Sequence, residues 1–231
     1  MAKVIIIGGG FGGIAAALRM RALKHDVTLL ERCKSIGGRA QVVYKDGYKF
    51  DTGPTVLTAP FLIDELFSLF NKCRKDYIKF IPLNPWYRFH FHDGSSFNYG
   101  GSVQDTLDEI QKFSPRDCKG YLRLLQKSEK IFNIAFEELS TTPFTSFTSM
   151  VKQIPNLLRL GSYQSVWRLV SSCLKNNQLR QAFSIQPLLL GGNPFNTTSI
   201  YALIHYLERN WGVYFCMGGT GKIITELKKL M

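Results

Sequence analysis

Near its start the chain reads KVIIIGGGFGGIAAAL, a run of β-branched residues that meets five glycines in six positions and then a row of alanines. β-Branched side chains favour extended backbone, and glycine ends it because it adds no side chain to pack. Lys3 to Ile7 therefore predicts a buried parallel strand. Ile14 to Leu23 predicts a helix, and Val27 to Leu30 a second buried strand that ends at Glu31. Strand, glycine turn, helix and strand make a βαβ unit, which commits this part of the chain to an α/β architecture with helices laid on a sheet.

Gly8, Gly10 and Gly13 fit the spacing GxGxxG, with Gly9, Phe11 and Gly12 between them. The first glycine allows a tight exit from the strand, the second lets a pyrophosphate approach the backbone, and the third lets helix and strand pack closely. The helix start behind them presents free N–H groups and a partial positive charge to phosphate. Glu31, followed by Arg32, lies about 20 residues further on, where a carboxylate can accept from both ribose hydroxyls of an adenosine. It would repel a 2′-phosphate, which disfavours NADP; NAD and FAD share the ADP half and stay undivided by this motif. Gly37-Gly38-Arg39 then brings backbone close to a ligand beside a fork-shaped cation. FDTGPT adds Asp51, Gly53, Pro54 and Thr55, a second place where backbone can lie against a flat ring.

The remaining pattern predicts a hairpin turning at Asp46-Gly47, a helix from Phe61 to Phe70, and a hairpin turning at Asp93-Gly94. On the second hairpin Phe89 and Phe91 face one side, and Arg88, His90 and His92 the other. From about Val103 to Tyr214 the pattern is mainly helical, with breaks at Pro115, Pro143, Pro155, Pro187 and Pro194. The net charge of +12 points to an anionic partner, but no nucleic-acid module is recognisable. Five dispersed cysteines with no CxxC pair argue for reduced thiols in a cytosolic setting. No signal peptide and no bilayer-spanning segment is evident, so a cytoplasmic protein, peripheral on a membrane at most, is expected. His90 and His92 lack a third ligand, so no metal site is expected.

The blocks VIIIGGGFGGIAAALRM, ERCKSIGGRA, FDTGPTVLT, LRQAFSIQPLLLGGNPF, SIYALIHYLERNWGVYF and GGTGKI resemble the amino-terminal half of bacterial-type phytoene desaturases. These are FAD-dependent carotenoid desaturases, and the resemblance runs over essentially the whole chain. It implies an α/β fold of the GR2 flavoprotein type: a Rossmann-like FAD-binding domain interrupted by a mainly helical substrate domain. The first FAD segment would be residues 1–70 and the insert 71–215. The chain would return to the FAD domain over 216–231, at Gly218-Gly219-Thr220-Gly221. Family members are roughly twice this length, so the carboxyl-terminal part of the fold would be missing, leaving an open edge strand and an uncovered apolar face. A fragment, a degenerate copy or one half of a split enzyme with a separately encoded carboxyl-terminal half would read this way.

The resemblance implies FAD as cofactor and an apolar polyene as substrate; of the two hydrogens on adjacent saturated carbons, the flavin would take one as hydride and a base or solvent the other as a proton. The insert suits a hydrocarbon, since no acidic residue occurs between Glu138 and Glu208. The acid-free stretch also carries Lys152, Arg159, Arg168, Lys175 and Arg180, and within it FTSMVKQIPNLLRLGSYQSVWRLV mixes cations with apolar residues, which suits either a peripheral membrane contact or a solvated basic face. Tyr201, His205 and Glu208 share helical spacing and could offer a base or serve the core, and no catalytic residue is assigned. Where the family often carries acids before LRQAF, this chain reads Lys175, Asn176 and Asn177; Arg180 matches. Beside the desaturase stand an inactive remnant or interaction module, and an NAD-dependent dehydrogenase, which Glu31 fits but the later blocks do not.

Overall fold

The structure, a computed structural model, describes residues 1–138, 161 and 163–231. It opens with β1 (Lys3–Ile7), α1 (Phe11–Ala22) and β2 (Asp26–Leu30). Next come β3 (Val42–Lys45), β4 (Tyr48–Asp51), β5 (Val56–Leu57), α2 (Pro60–Ser68) and β6 (Phe80–Pro82). A second hairpin, β7 (Tyr87–His90) and β8 (Ser96–Tyr99), leads into α3 (Val103–Phe113) and α4 (Asp117–Phe132). After the undescribed stretch follow α5 (Val166–Cys173), α6 (Asn177–Ala182) and α7 (Leu203–Trp211), and the chain closes with β9 (Tyr214–Cys216) and α8 (Thr220–Leu230). Two compact units result: Met1–Leu83 with Val213–Met231, and Asn84–Gly212. Among the described residues no helix is long and apolar enough to cross a membrane.

In the first unit β1 and β2 pair in parallel, Lys3 opposite Asp26 through Ile7 opposite Leu30. Ile14, Ala17 and Leu18 of α1 are buried. Ile14 and Leu18 share a core with Leu66 and Phe67 of α2, Ile78, and Ile223 and Leu227 of α8. Each such side chain contributes about 1.5–3 kcal/mol by leaving water. The expectation that both strands are buried is corrected here. Side chains alternate across a strand, so α1 covers only one face; Ile5, Ile7 and Leu30 on the other are 66%, 86% and 50% exposed. The helix also begins three residues before the expected Ile14, because Gly10 is already its N-cap.

The β3–β4 hairpin turns at Asp46-Gly47, both at positive φ (52° and 80°), as a two-residue primed turn requires. β9 lies between β5 and β6, antiparallel to each. This pairing keeps residues up to Leu83, and from Val213, in the first unit, whereas sequence reading put the boundaries after 70 and after 215.

In the second unit, β7 and β8 pair as a hairpin whose apolar face, with Phe89, Phe91 and Phe97, meets a helical core containing Tyr99, Tyr121, Leu124 and Phe183. Ser102 and Asp105 form a capping box that starts α3. Gly120 of α4 touches the last carbonyl of α5: a Cβ there would overlap the Cys173 oxygen. Just beyond α5, the backbone N–H groups of Lys175 and Asn176 donate to buried Asp117 of α4 at 2.8 and 2.7 Å. Asn176 in turn caps α6 through the Leu179 N–H.

Candidate cofactor site

The glycine turn leaves β1 at Gly8, whose φ of +103° strains any residue with a side chain. Gly13 explains itself by contact, since a Cβ there would overlap the Gly8 carbonyl oxygen. Gly9 is buried, and a Cβ would press on the Ile36 side chain at 2.8 Å and on the Glu31 carboxylate at 3.1 Å. Gly8 and Gly12 would meet nothing within 4 Å, so the outer side of the turn is open. No side chain caps α1 at Gly10 and no acidic residue lies in its first turn. Its leading N–H groups are thus left for an anion. Phe11 divides its duties: its ring packs into the first unit's core, while its backbone belongs to this turn.

Glu31 sits beside the turn. One carboxylate oxygen accepts the Gly9 N–H at 2.7 Å and the other the Cys33 N–H at 2.8 Å. The Cys33 and Gly9 hydrogen bonds, in that order, hold its carboxyl below the usual carboxylate range, so it is ionised. Each oxygen keeps a further lone pair for a ribose hydroxyl.

The later glycine blocks converge on the first. The Gly37 N–H donates to the Gly9 carbonyl at 2.7 Å, and Gly10 bridges to Gly37 in parallel fashion. A Cβ on Gly38 would lie 3.0 Å from the Gly10 Cα. Gly53 packs on the loop from behind, where a Cβ would overlap the Arg39 carbonyl oxygen. Gly219, before α8, abuts the Asp51 carboxylate, and Lys49 donates to the Gly218 carbonyl. Arg32, Arg39, Pro54 and Thr55 are exposed, and their side chains take no part in this backbone stack. Ile36, which sequence reasoning passed over, backs Gly9; an apolar residue just before the paired glycines was the available signal.

A family model described as flavin containing amine oxidoreductase matches residues 11–230, nearly the whole chain. The chain belongs to the flavin-containing amine oxidoreductase family. Over 230 residues it is 45% identical to the lycopene-forming phytoene desaturase of Pantoea ananas, covering 100% of this chain and 47% of that protein. It is 32% identical to the neurosporene-forming phytoene desaturase of Cereibacter sphaeroides, covering 99% and 44%. The chain therefore spans about half the length of the curated relatives it matches. Among solved structures, cyclohexylamine oxidase from Brevibacterium oxydans shares the fold at a TM-score of 0.63 and 18% identity, covering 99% of this chain and 49% of that one. A putrescine oxidase variant does so at 0.61 and 16%, covering 99% and 49%. The family's cofactor, FAD, fits the residues present: an open glycine turn, an uncapped helix start and an ionised Glu31 suit its ADP half.

A second polar cluster lies within the other unit of this flavin-family chain. Glu208 and His205 of α7 are fully buried, while Tyr201 is 38% exposed. The Tyr87 hydroxyl donates to Glu208 at 2.8 Å. His205 lies 3.1 Å from the Gln186 amide through Nδ1 and 3.0 Å from the Phe183 carbonyl through Nε2. Arg209 donates to the Gly101 carbonyl and the Thr106 hydroxyl, with its guanidinium over the Trp86 and Tyr99 rings at 4.5 and 4.9 Å. Burial pushes Glu208 up to about 7 and His205 down to about 4, so burial favours the neutral form of each. Every ring contact and bond ties α7 to β7, β8 and their neighbours, which is the work of a core.

Proposed function

We propose that the chain is the dinucleotide-binding portion of an FAD-dependent carotenoid desaturase acting on phytoene or a similar polyene. The observation that carries this reading is the succession of close contacts that joins GGGFGG to GGR, GGR to FDTG and FDTG to GGTG, in a chain 45% identical to a phytoene desaturase over 230 residues. The first unit would hold FAD: the turn Gly8–Gly13 and the α1 start take the pyrophosphate, Glu31 the ribose, and Gly38, Arg39, Gly53, Pro54 and Thr55 line the path beyond. Bound flavin would supply the acceptor for a hydride taken from one C–H bond, while the neighbouring carbon loses a proton to a base or solvent as the C=C bond forms. The residues of this chain bind and orient that acceptor. The second unit, Asn84–Gly212, would take the apolar substrate, its hydrocarbon-rich core excluding water from it.

Two partners belong to this reading. A carboxyl-terminal half, on the same chain or separately encoded, would extend the β1–β2 sheet and cover Ile5, Ile7 and Leu30. A membrane surface would meet exposed Arg168 and Lys175; Lys152 and Arg159 of the same basic stretch lie outside the described residues. Arg180 is committed elsewhere, donating to the Leu174 carbonyl at 2.9 Å. The test is FAD titration of the chain alone and of the chain mixed with the carboxyl half of the Pantoea relative, followed by phytoene turnover in the mixture. FAD retention and colour formation are expected. Absence of FAD affinity in both formats refutes the cofactor assignment, and FAD binding without turnover refutes the desaturase assignment.

A further inference from the structure

The GGNPF block, set aside by the cofactor site, builds one wall of a groove in the second unit. The groove has a volume of about 610 Å³, within the usual range of small-molecule sites. Trp167 of α5, Ile185, Leu188, Pro194 and Phe195 supply its apolar lining. Among the described residues, the ten that line it carry no charge. Three other clefts among the described residues are each flanked by lysines: Lys127 and Lys130, Lys49 and Lys222, Lys75 and Lys79. In a chain with a net charge of +12 this lining is set apart by what it lacks.

The walls are held by backbone. The Trp167 N–H donates to the Pro194 carbonyl at 3.1 Å, and the Gly192 N–H to the Pro187 carbonyl at 2.7 Å. Asn193 accepts the Phe195 N–H through its side chain at 2.9 Å, so its oxygen already has a donor. The Trp167 and Phe195 rings stand 5.0 Å apart at 49°. Of the lining, Leu188 and Phe195 are each 59% exposed, and Leu189 and Leu190, which follow Leu188 in the chain, are 40% and 56% exposed.

We propose that this groove binds a stretch of a linear isoprenoid hydrocarbon, the polyene substrate itself, with the packed Trp167–Phe195 pair as one apolar wall and Leu188 beside it. The assignment rests on the desaturase reading and gives that reading a substrate-binding surface. Of the described lining residues only Gln181, Ser184 and Asn193 have polar side chains, so a polypeptide segment would bring more amide N–H and C=O groups than they can answer, whereas a hydrocarbon needs none.

The experiment presents phytoene-loaded detergent micelles to the 231-residue chain and measures phytoene retained after removal of micelles. Leu188→Glu and Phe195→Asp each place a charge at an exposed position. Each is expected to cut retention at least tenfold while melting temperature and FAD affinity hold; Leu188→Ile is expected to retain phytoene like the wild type. Retention within twofold of wild type in both charged variants overturns the groove assignment and leaves the desaturase reading standing. No retention by the wild-type chain sinks the groove and the polyene reading together. If the charged variants keep phytoene but lose binding to empty phosphatidylcholine liposomes, or to the carboxyl half of a relative, the groove is a lipid or protein contact and the proposal is overturned.

Discussion

Glu208 and His205 stand one turn apart on α7, and burial displaces them in opposite senses, to about 7 and about 4. A group whose pKa differs between folded and unfolded chains changes stability by about 1.4 kcal/mol per pH unit between the two values. From the ordinary 4.5 up to about 7, folded Glu208 keeps a proton that the unfolded chain has lost, so stability falls as pH rises. From about 4 up to the ordinary 6.5, unfolded His205 carries a proton that the folded ring refuses, so stability rises with pH. Between roughly 4.5 and 6.5 the two slopes oppose each other and nearly cancel. Glu208→Gln should expose the histidine slope: stability climbing by about 1.4 kcal/mol per pH unit, roughly 3 kcal/mol across that window. His205→Gln should expose the carboxylate slope, of like size and opposite sign. All three tryptophans, Trp86, Trp167 and Trp211, lie in Asn84–Gly212, so tryptophan emission during urea unfolding reports this unit. Profiles of wild type and both variants that run parallel from pH 4.5 to 6.5 would refute the reasoning, whatever their vertical offsets.

Four further outcomes separate folding from binding. Gly13→Ala should cost at least about 3 kcal/mol in urea unfolding, because its Cβ overlaps the Gly8 carbonyl. Gly10→Val should fold normally, since φ is −76° and a Cβ stands 3.9 Å from Gly38, yet bind FAD at least about 100-fold more weakly by fluorescence titration; equal affinity would remove the pyrophosphate from this turn. Glu31→Ala should weaken FAD by about 10- to 100-fold, the worth of a charge-assisted hydrogen bond; an unchanged isotherm would take the ribose elsewhere. Asp117→Ala should destabilise the second unit by about 3 kcal/mol, as two partly buried N–H groups lose a charged acceptor; a shift under about 0.5 kcal/mol would contradict the role given to that carboxylate.

The elements read most accurately from the sequence are those whose cause is local. β1 ends where the glycines begin, and the β3–β4 turn falls at Asp46-Gly47 because those residues tolerate positive φ. The start of α1 was misplaced because its cap is a glycine, which offers no side-chain signal. Burial of β1 and β2 was misjudged because a β-branched run looks the same whether one face or both are covered. Asp117 accepts the backbone N–H of Lys175 from 58 residues upstream, a pairing that no local pattern discloses. Tyr87 and Glu208, 121 residues apart, are likewise joined only by folding.

By itself the sequence determined a βαβ start, a phosphate-ready glycine turn and a carboxylate at the distance an adenosine ribose requires. Those follow from side-chain volume and backbone freedom, which act between near neighbours. Tertiary structure decided that Gly53 belongs behind Arg39, Gly219 beside Asp51 and Ile36 behind Gly9, and that GGNPF joins Trp167 and Leu188 in lining a groove. Such contacts depend on close approach of segments remote in the chain. Close packing enforces that approach, and no local periodicity records it.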